Sequence, residues 1–150
     1  MKSIFLFAAL LLLGHALYAQ NSSRLTVRNT TPCTMYYRVV VSPPVTPGAT
    51  SCSTGGVSAL LSIAPGTFIS YTATSLPGIS TPPGADRVIL GGIVCSGPSG
   101  CDTPALNVSS YGCLGWPNGV IANVNGAGCT ICTQTIATWN FSGQNTLLFN

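Results

Sequence analysis

Residues 34–42 read Thr-Met-Tyr-Tyr-Arg-Val-Val-Val-Ser, and their alternation decides the fold class. Met35, Tyr37, Val39 and Val41 share one face, with Tyr36, Arg38 and Val40 on the other. Side chains on a strand alternate between faces, so this pattern predicts a β-strand with one side turned to a core. The same signature recurs outward from it. Leu25 and Val27 alternate before Asn29, and further runs cover Val57–Ile63, Thr67–Thr74, Arg87–Val94, Ala105–Ser109, Val120–Val124, Thr133–Phe141 and Thr146–Phe149. Pro, Gly, Ser and Asn clusters separate them, and no window shows a helical apolar stripe bounded by caps. The expectation is an all-β chain: a single disulfide-stapled β-sandwich, immunoglobulin-like or related, with long Pro/Gly-rich loops.

The ends of the chain suggest its destination. Lys2 gives a basic start, Ile4–Leu13 is an unbroken apolar run, and a short tail ends at Ala19 before Gln20. That is the layout of a secretory signal peptide over residues 1–19. Ten apolar residues fall short of the roughly 20 needed to span a bilayer, and no transmembrane segment is expected elsewhere. The mature protein is expected to be one secreted domain, residues 20–150, extracellular or periplasmic after cleavage near Ala19.

Removing that segment leaves an unusual chemistry. His15, the one histidine, and Lys2, the one lysine, go with it, and glutamate is absent throughout. Arg24, Arg28, Arg38 and Arg87 face only Asp86 and Asp102, so four cations against two anions leave +2. Charged residues make up 5% of the chain, against about 25% in ordinary domains. This balance is too slight for a nucleic-acid footprint or a polybasic membrane patch. Ser and Thr replace charge, with 32 of them after Ala19. A surface wetted by hydroxyls carries little repulsion between molecules, which favours association or hydroxyl-rich partners.

Seven cysteines, Cys33, Cys52, Cys95, Cys101, Cys113, Cys129 and Cys132, remain in the mature chain. In an exported protein they imply up to three disulfides and one remaining thiol. About 105 arrangements exist, and the shortest loops favour Cys95–Cys101 and Cys33–Cys52. The C-x-x-C at Cys129-Thr-Ile-Cys132 lacks the following helix of a redox motif and the second ligand pair of a zinc site, so it reads as structural. Residues three apart on a strand point to opposite faces. Either the chain turns there, as Gly126 and Gly128 allow, or the two cysteines serve different partners. A β run, glycine and two cysteines recur in residues 87–101 and 119–132, which suggests two similar hairpins.

General acid–base and nucleophilic chemistry would rest on Asp86 and Asp102 alone, with no histidine base. The chain therefore reads as no enzyme, a small secreted hydrolase being the least favoured option. No catalytic residue, metal ligand set or cofactor is expected. Binding is the more natural task. Trp116, followed by Pro117-Asn118-Gly119, lies on a loop near Tyr111, and of Tyr36 and Tyr37 one must face away from the side its neighbour takes, with Tyr36 the candidate. These aromatics are the candidate ligand-binding residues, for a glycan or a protein. Trp139, inside an alternating run, reads as core. Sequons stand at Asn21, Asn29, Asn107 and Asn140, the last within a strand.

Residues 25–41, LTVRNTTPCTMYYRVVV, resemble the first hairpin of several secreted β-sandwich proteins, thaumatin-like ones among them. That family's many-cysteine framework and acidic cleft are absent, so no site residue is carried over. The composition is also similar to that of fungal hydrophobins, whose adjacent Cys-Cys doublets this chain lacks. The leading expectation is a secreted structural or adhesive surface protein, or an extracellular assembly component, partnered by itself or another cell-surface protein. The alternative is a glycan- or protein-binding module.

Overall fold

The computed structural model describes residues 23–45, 51–79, 87–101, 106–125, 129–142 and 144–150. The segment read as a signal peptide, Asn21, and both aspartates, Asp86 and Asp102, lie outside these residues.

Ten strands form two sheets, with no α-helix among the described residues. They are β1 (Arg24–Asn29), β2 (Met35–Ser42), β3 (Gly56–Val57), β4 (Leu61–Ile63), β5 (Phe68–Thr72), β6 (Val88–Cys95), β7 (Leu106–Val108), β8 (Gly119–Asn125), β9 (Ile131–Phe141) and β10 (Asn145–Phe149). The first sheet runs β5-β1-β10-β9-β8; the second runs β3-β2-β6-β7, with β4 also paired to β2. All pairings are antiparallel except β1 with β10. Each apolar run of the sequence corresponds to a strand, except that Val57–Ile63 breaks into β3 and β4 around Ser58. There the Ser58 hydroxyl accepts from the Val39 N–H at 2.9 Å and donates to the Ala59 carbonyl at 2.8 Å.

One core draws on both sheets. Leu25, Val27, Ala137, Trp139, Leu147 and Phe149 from the first join Met35, Tyr37, Val39, Val41, Ile89 and Val94 from the second. Met35, Tyr37, Val39 and Val41 are fully buried, as their alternation requires. Burying such side chains contributes about 1.5–3 kcal/mol each. Val40 alternates outward yet is 1% exposed, so the second sheet is covered on its outer side as well at that point.

Residues 25–41 do not form a hairpin. β1 belongs to the first sheet and β2 to the second, so the intervening residues cross between sheets. Asn29 closes this crossover from a fully buried position. Its Nδ2 donates to the carbonyls of Cys33 (2.7 Å) and Ile63 (3.1 Å), and its Oδ1 accepts from the Thr31 N–H (2.9 Å) and hydroxyl (2.7 Å). Every bonding position of the amide is used internally, so the sequon at Asn29 cannot carry a glycan in the folded protein.

Three disulfides join Cys33 to Cys132, Cys52 to Cys113 and Cys101 to Cys129. Neither short-loop pairing forms. Cys33 precedes β2 and Cys52 lies beyond its far end, where the Gly55 N–H meets the Val41 carbonyl. A strand of eight residues separates them by roughly 26 Å. Cys95 is the cysteine outside the bridges: it ends β6, is 1% exposed, and directs its thiol to the Ile93 carbonyl. The two predicted hairpins are present as β6–β7 and β8–β9, and Cys101–Cys129 bolts their loops together.

The C-x-x-C resolves both ways at once. Cys129 turns, with φ +59°, and Cys132 is the extra residue of a bulge where Val124 pairs Thr133 but Asn125 pairs Ile131. A bulge re-aims a side chain, and Cys132 reaches Cys33 while Cys129 reaches Cys101.

Candidate functional site

The loop after β7 positions two of the three candidate aromatics. The Tyr111 N–H donates to the Ser109 hydroxyl at 2.9 Å, and residues 112–114 make one tight helical turn that ends on Gly115 in the left-handed region (φ +65°). Cys113 fastens this turn to the β2–β3 loop through Cys52. The Ser109 N–H then meets the Pro117 carbonyl, and the Trp139 N–H meets the Asn118 carbonyl, so the loop bridges the two sheets at their β7/β9 side.

Tyr111 is half-buried. Its ring lies tilted against Phe141, with centroids 5.7 Å apart. Burial pushes its phenol above the ordinary tyrosine value, partly offset by the neighbouring Asn145 side chain, and its buried hydroxyl makes no hydrogen bond among the described residues. Asn145 is buried in turn, with its Oδ1 accepting from Trp139 Nε1 and its Nδ2 donating to the Ile89 carbonyl. Trp116 is also half-buried and lies on Gly91, where an added Cβ would stand 3.1 Å from two ring atoms. Trp139 belongs to the core, as its alternation predicts.

Tyr36 stands apart from this loop. It faces outward from the second sheet, half-buried, opposite Ser62 and Cys95. Four residues of β6 separate Cys95 from Gly91, which puts Tyr36 about 13 Å along the sheet from the point that Trp116 covers. The structure thus brings Tyr111 and Trp116 into one loop, both with rings engaged in packing, and leaves Tyr36 on a neighbouring patch beside Arg38.

The most exposed apolar side chains lie elsewhere. Phe68 is 75% exposed and Ile69 39%, both on β5, an edge strand of the first sheet. At the opposite edge Ile121 pairs directly with Ile136 on the outward face, and both are exposed. The backbone of β5 has a defined phase. The Asn29 N–H bonds the Thr67 carbonyl and the Ala73 N–H bonds the Ser23 carbonyl, so odd-numbered residues turn their amides toward β1. Phe68, Ser70 and Thr72 turn theirs to the open edge. Ser75 occupies Thr72: its hydroxyl accepts from the Thr72 N–H at 2.8 Å and donates to the Thr72 carbonyl at 3.0 Å. Among the described residues nothing pairs with Phe68 and Ser70, which present the edge. The sequence run Thr67–Thr74 held a signal for this, because it places apolar residues on both faces, Phe68 on one and Ile69 and Tyr71 on the other.

Among the described residues, no group of three or more His, Cys, Asp or Glu could hold a metal ion, and no helix is long and apolar enough to cross a membrane. Comparison with protein-family models, with curated proteins and with solved structures returns no match.

Proposed function

We propose that the protein is an exported structural or adhesive component that acts by association, with copies of itself first and with other cell-surface proteins second. The domain is read as a β-sandwich, immunoglobulin-like or related, occupying residues 20–150 after removal of a signal peptide. Three disulfides fit the oxidising compartment that this reading requires.

The observation that carries the proposal is the open edge of β5. Edge strands invite pairing with another chain, and proteins that stay apart blunt them with lysine, proline or a bulge. The β5 sequence Phe-Ile-Ser-Tyr-Thr contains neither charge nor proline, and its two apolar residues are exposed. Low charge across the whole chain removes the repulsion that would hold copies apart. The test is the molar mass in solution across a concentration series, for the native chain and for Ile69→Lys. The native chain should associate as concentration rises, and the lysine should suppress it. A monodisperse native monomer at high concentration would overturn the proposal.

A further inference from the structure

The outward face of the first sheet has a composition of its own. Register sets Ser70, Thr26, Thr146 and Asn140 side by side across β5, β1, β10 and β9. At about 4.8 Å per strand this row of hydroxyls and amides is roughly 14 Å long. Thr26 Oγ1 accepts from Gln144 Nε2 at 2.7 Å and shares a hydrogen bond with Ser70 Oγ at 3.2 Å. Arg24 and Arg28 flank Thr26 on the same strand face, both exposed, about 13 Å apart by strand geometry. Phe68 lies opposite Arg28 and Thr72 opposite Arg24. None of the five strands contains an acidic residue.

We propose that this face binds a linear anionic polysaccharide lying along β1, with Arg24 and Arg28 each holding a carboxylate or sulfate group and Thr26, with its neighbours Ser70 and Thr146 on the flanking strands, holding sugar hydroxyls between them. Each element fits that chemistry. The planar guanidinium matches a carboxylate or sulfate through paired N–H donors. Hydroxyls and amides both donate and accept, as sugar hydroxyls require. Phe68 offers an exposed ring for the apolar face of a sugar at the edge of the row. A nucleic acid or an anionic membrane would call for a dense basic patch, whereas this face carries two charges in a neutral polar field.

The inference is independent of association through the β5 edge, and the experiment keeps the two separate. The full mature chain is titrated with polygalacturonate, heparin, neutral dextran and single-stranded DNA at low and moderate salt. Binding to polygalacturonate or heparin is expected, and which of the two is tighter identifies carboxylate or sulfate as the preferred anion; dextran and DNA should bind at least tenfold more weakly. Arg24→Gln and Arg28→Gln should each weaken binding by about tenfold or more. Arg38→Gln, which removes the same charge from the other sheet, should bind as the native chain does. Ile69→Lys should bind as well whether or not it blocks association. No binding to either acidic polysaccharide, equal binding to DNA, or an equal loss in Arg38→Gln would overturn the assignment.

Discussion

Trp116 and Trp139 approach opposite faces of one dipeptide, Gly91-Gly92 in β6. An added Cβ at Gly92 would stand 3.2 Å from the Trp139 ring and 3.4 Å from Leu147, on the core side. At Gly91 it would stand 3.1 Å from the Trp116 ring and 2.8 Å from the Val108 carbonyl oxygen, on the other side. The two glycines are what allow a large ring on each side of the same stretch of sheet.

Replacing either glycine should therefore overpack the sheet. Gly91→Ala is expected to lose about 1–3 kcal/mol, with Gly92→Ala in the same range. Gly91 is the more severe site, because its nearest obstacle is a backbone oxygen that cannot rotate away. Urea unfolding of both variants checks this, and native-like midpoints would show that the tryptophans do not press on the sheet.

The disulfide topology makes a graded prediction. Cys33–Cys132 spans 99 residues, Cys52–Cys113 spans 61 and Cys101–Cys129 spans 28. In the chain-entropy picture, removing a bridge costs about 3–5 kcal/mol and more for the longer loop. Paired Ala substitutions should lower stability in that order, Cys33/Cys132 most. Peptide mapping under non-reducing conditions gives a direct check: a fragment joining Cys95 to Cys101, or Cys129 to Cys132, would contradict the pairing.

Asn29 concentrates several hydrogen bonds in one buried side chain. Asn29→Ala would leave the Thr31 N–H without its acceptor, remove a donor from the Ile63 carbonyl, and leave the Cys33 carbonyl with the Thr31 hydroxyl alone. Each buried polar group left without its partner costs about 1–3 kcal/mol, so the variant should be among the least stable single substitutions. Asn29→Asp supplies the acceptor but not the Nδ2 donor, and it should recover only part of the loss. An Asn29→Ala protein as stable as the native one would show that the crossover does not depend on this side chain.

The strands were legible in the sequence because a half-buried strand writes its faces into alternate residues. Thr133–Phe141 did so over its whole length, and Thr34–Ser42 did so as far as Val39. Pairing was not legible, because partner choice depends on where the chain returns in space. That is why Leu25–Val41 read as a hairpin although β1 and β2 join different sheets. The cysteines failed the short-loop rule for the same reason: β2 carries Cys33 and Cys52 to opposite ends of the sheet, while the far shorter C-x-x-C is split by a left-handed turn and a bulge. A loop or outward position, which Trp116, Tyr111 and Tyr36 each have, says nothing of whether a ring has a neighbour to cover it. Phe68 and Ile69 put apolar residues on both faces of their run, but that they stand exposed at an edge is a property of the sheet order.

The last prediction concerns alkaline pH. Tyr37 is fully buried, and its hydroxyl shares a 3.1 Å hydrogen bond with the Tyr71 hydroxyl. Burial first, then that hydrogen bond and the neighbouring Tyr71, hold its phenol far above the ordinary tyrosine value; burial also raises Tyr111. The unfolded chain releases these protons near pH 10, while the native state still retains them. The unfolded state then binds fewer protons than the folded one, so stability is fully present below about pH 10 and falls as pH rises beyond it. The slope should approach about 1.4 kcal/mol per pH unit for each such tyrosine. Tyr37→Phe removes one of these contributions and should flatten the decline between pH 10 and 11, at a cost near neutral pH of about 1 kcal/mol for the lost hydrogen bond. Urea unfolding across that range decides it: a native-like slope in Tyr37→Phe would mean that Tyr37 ionises as readily in the folded protein as in the unfolded chain.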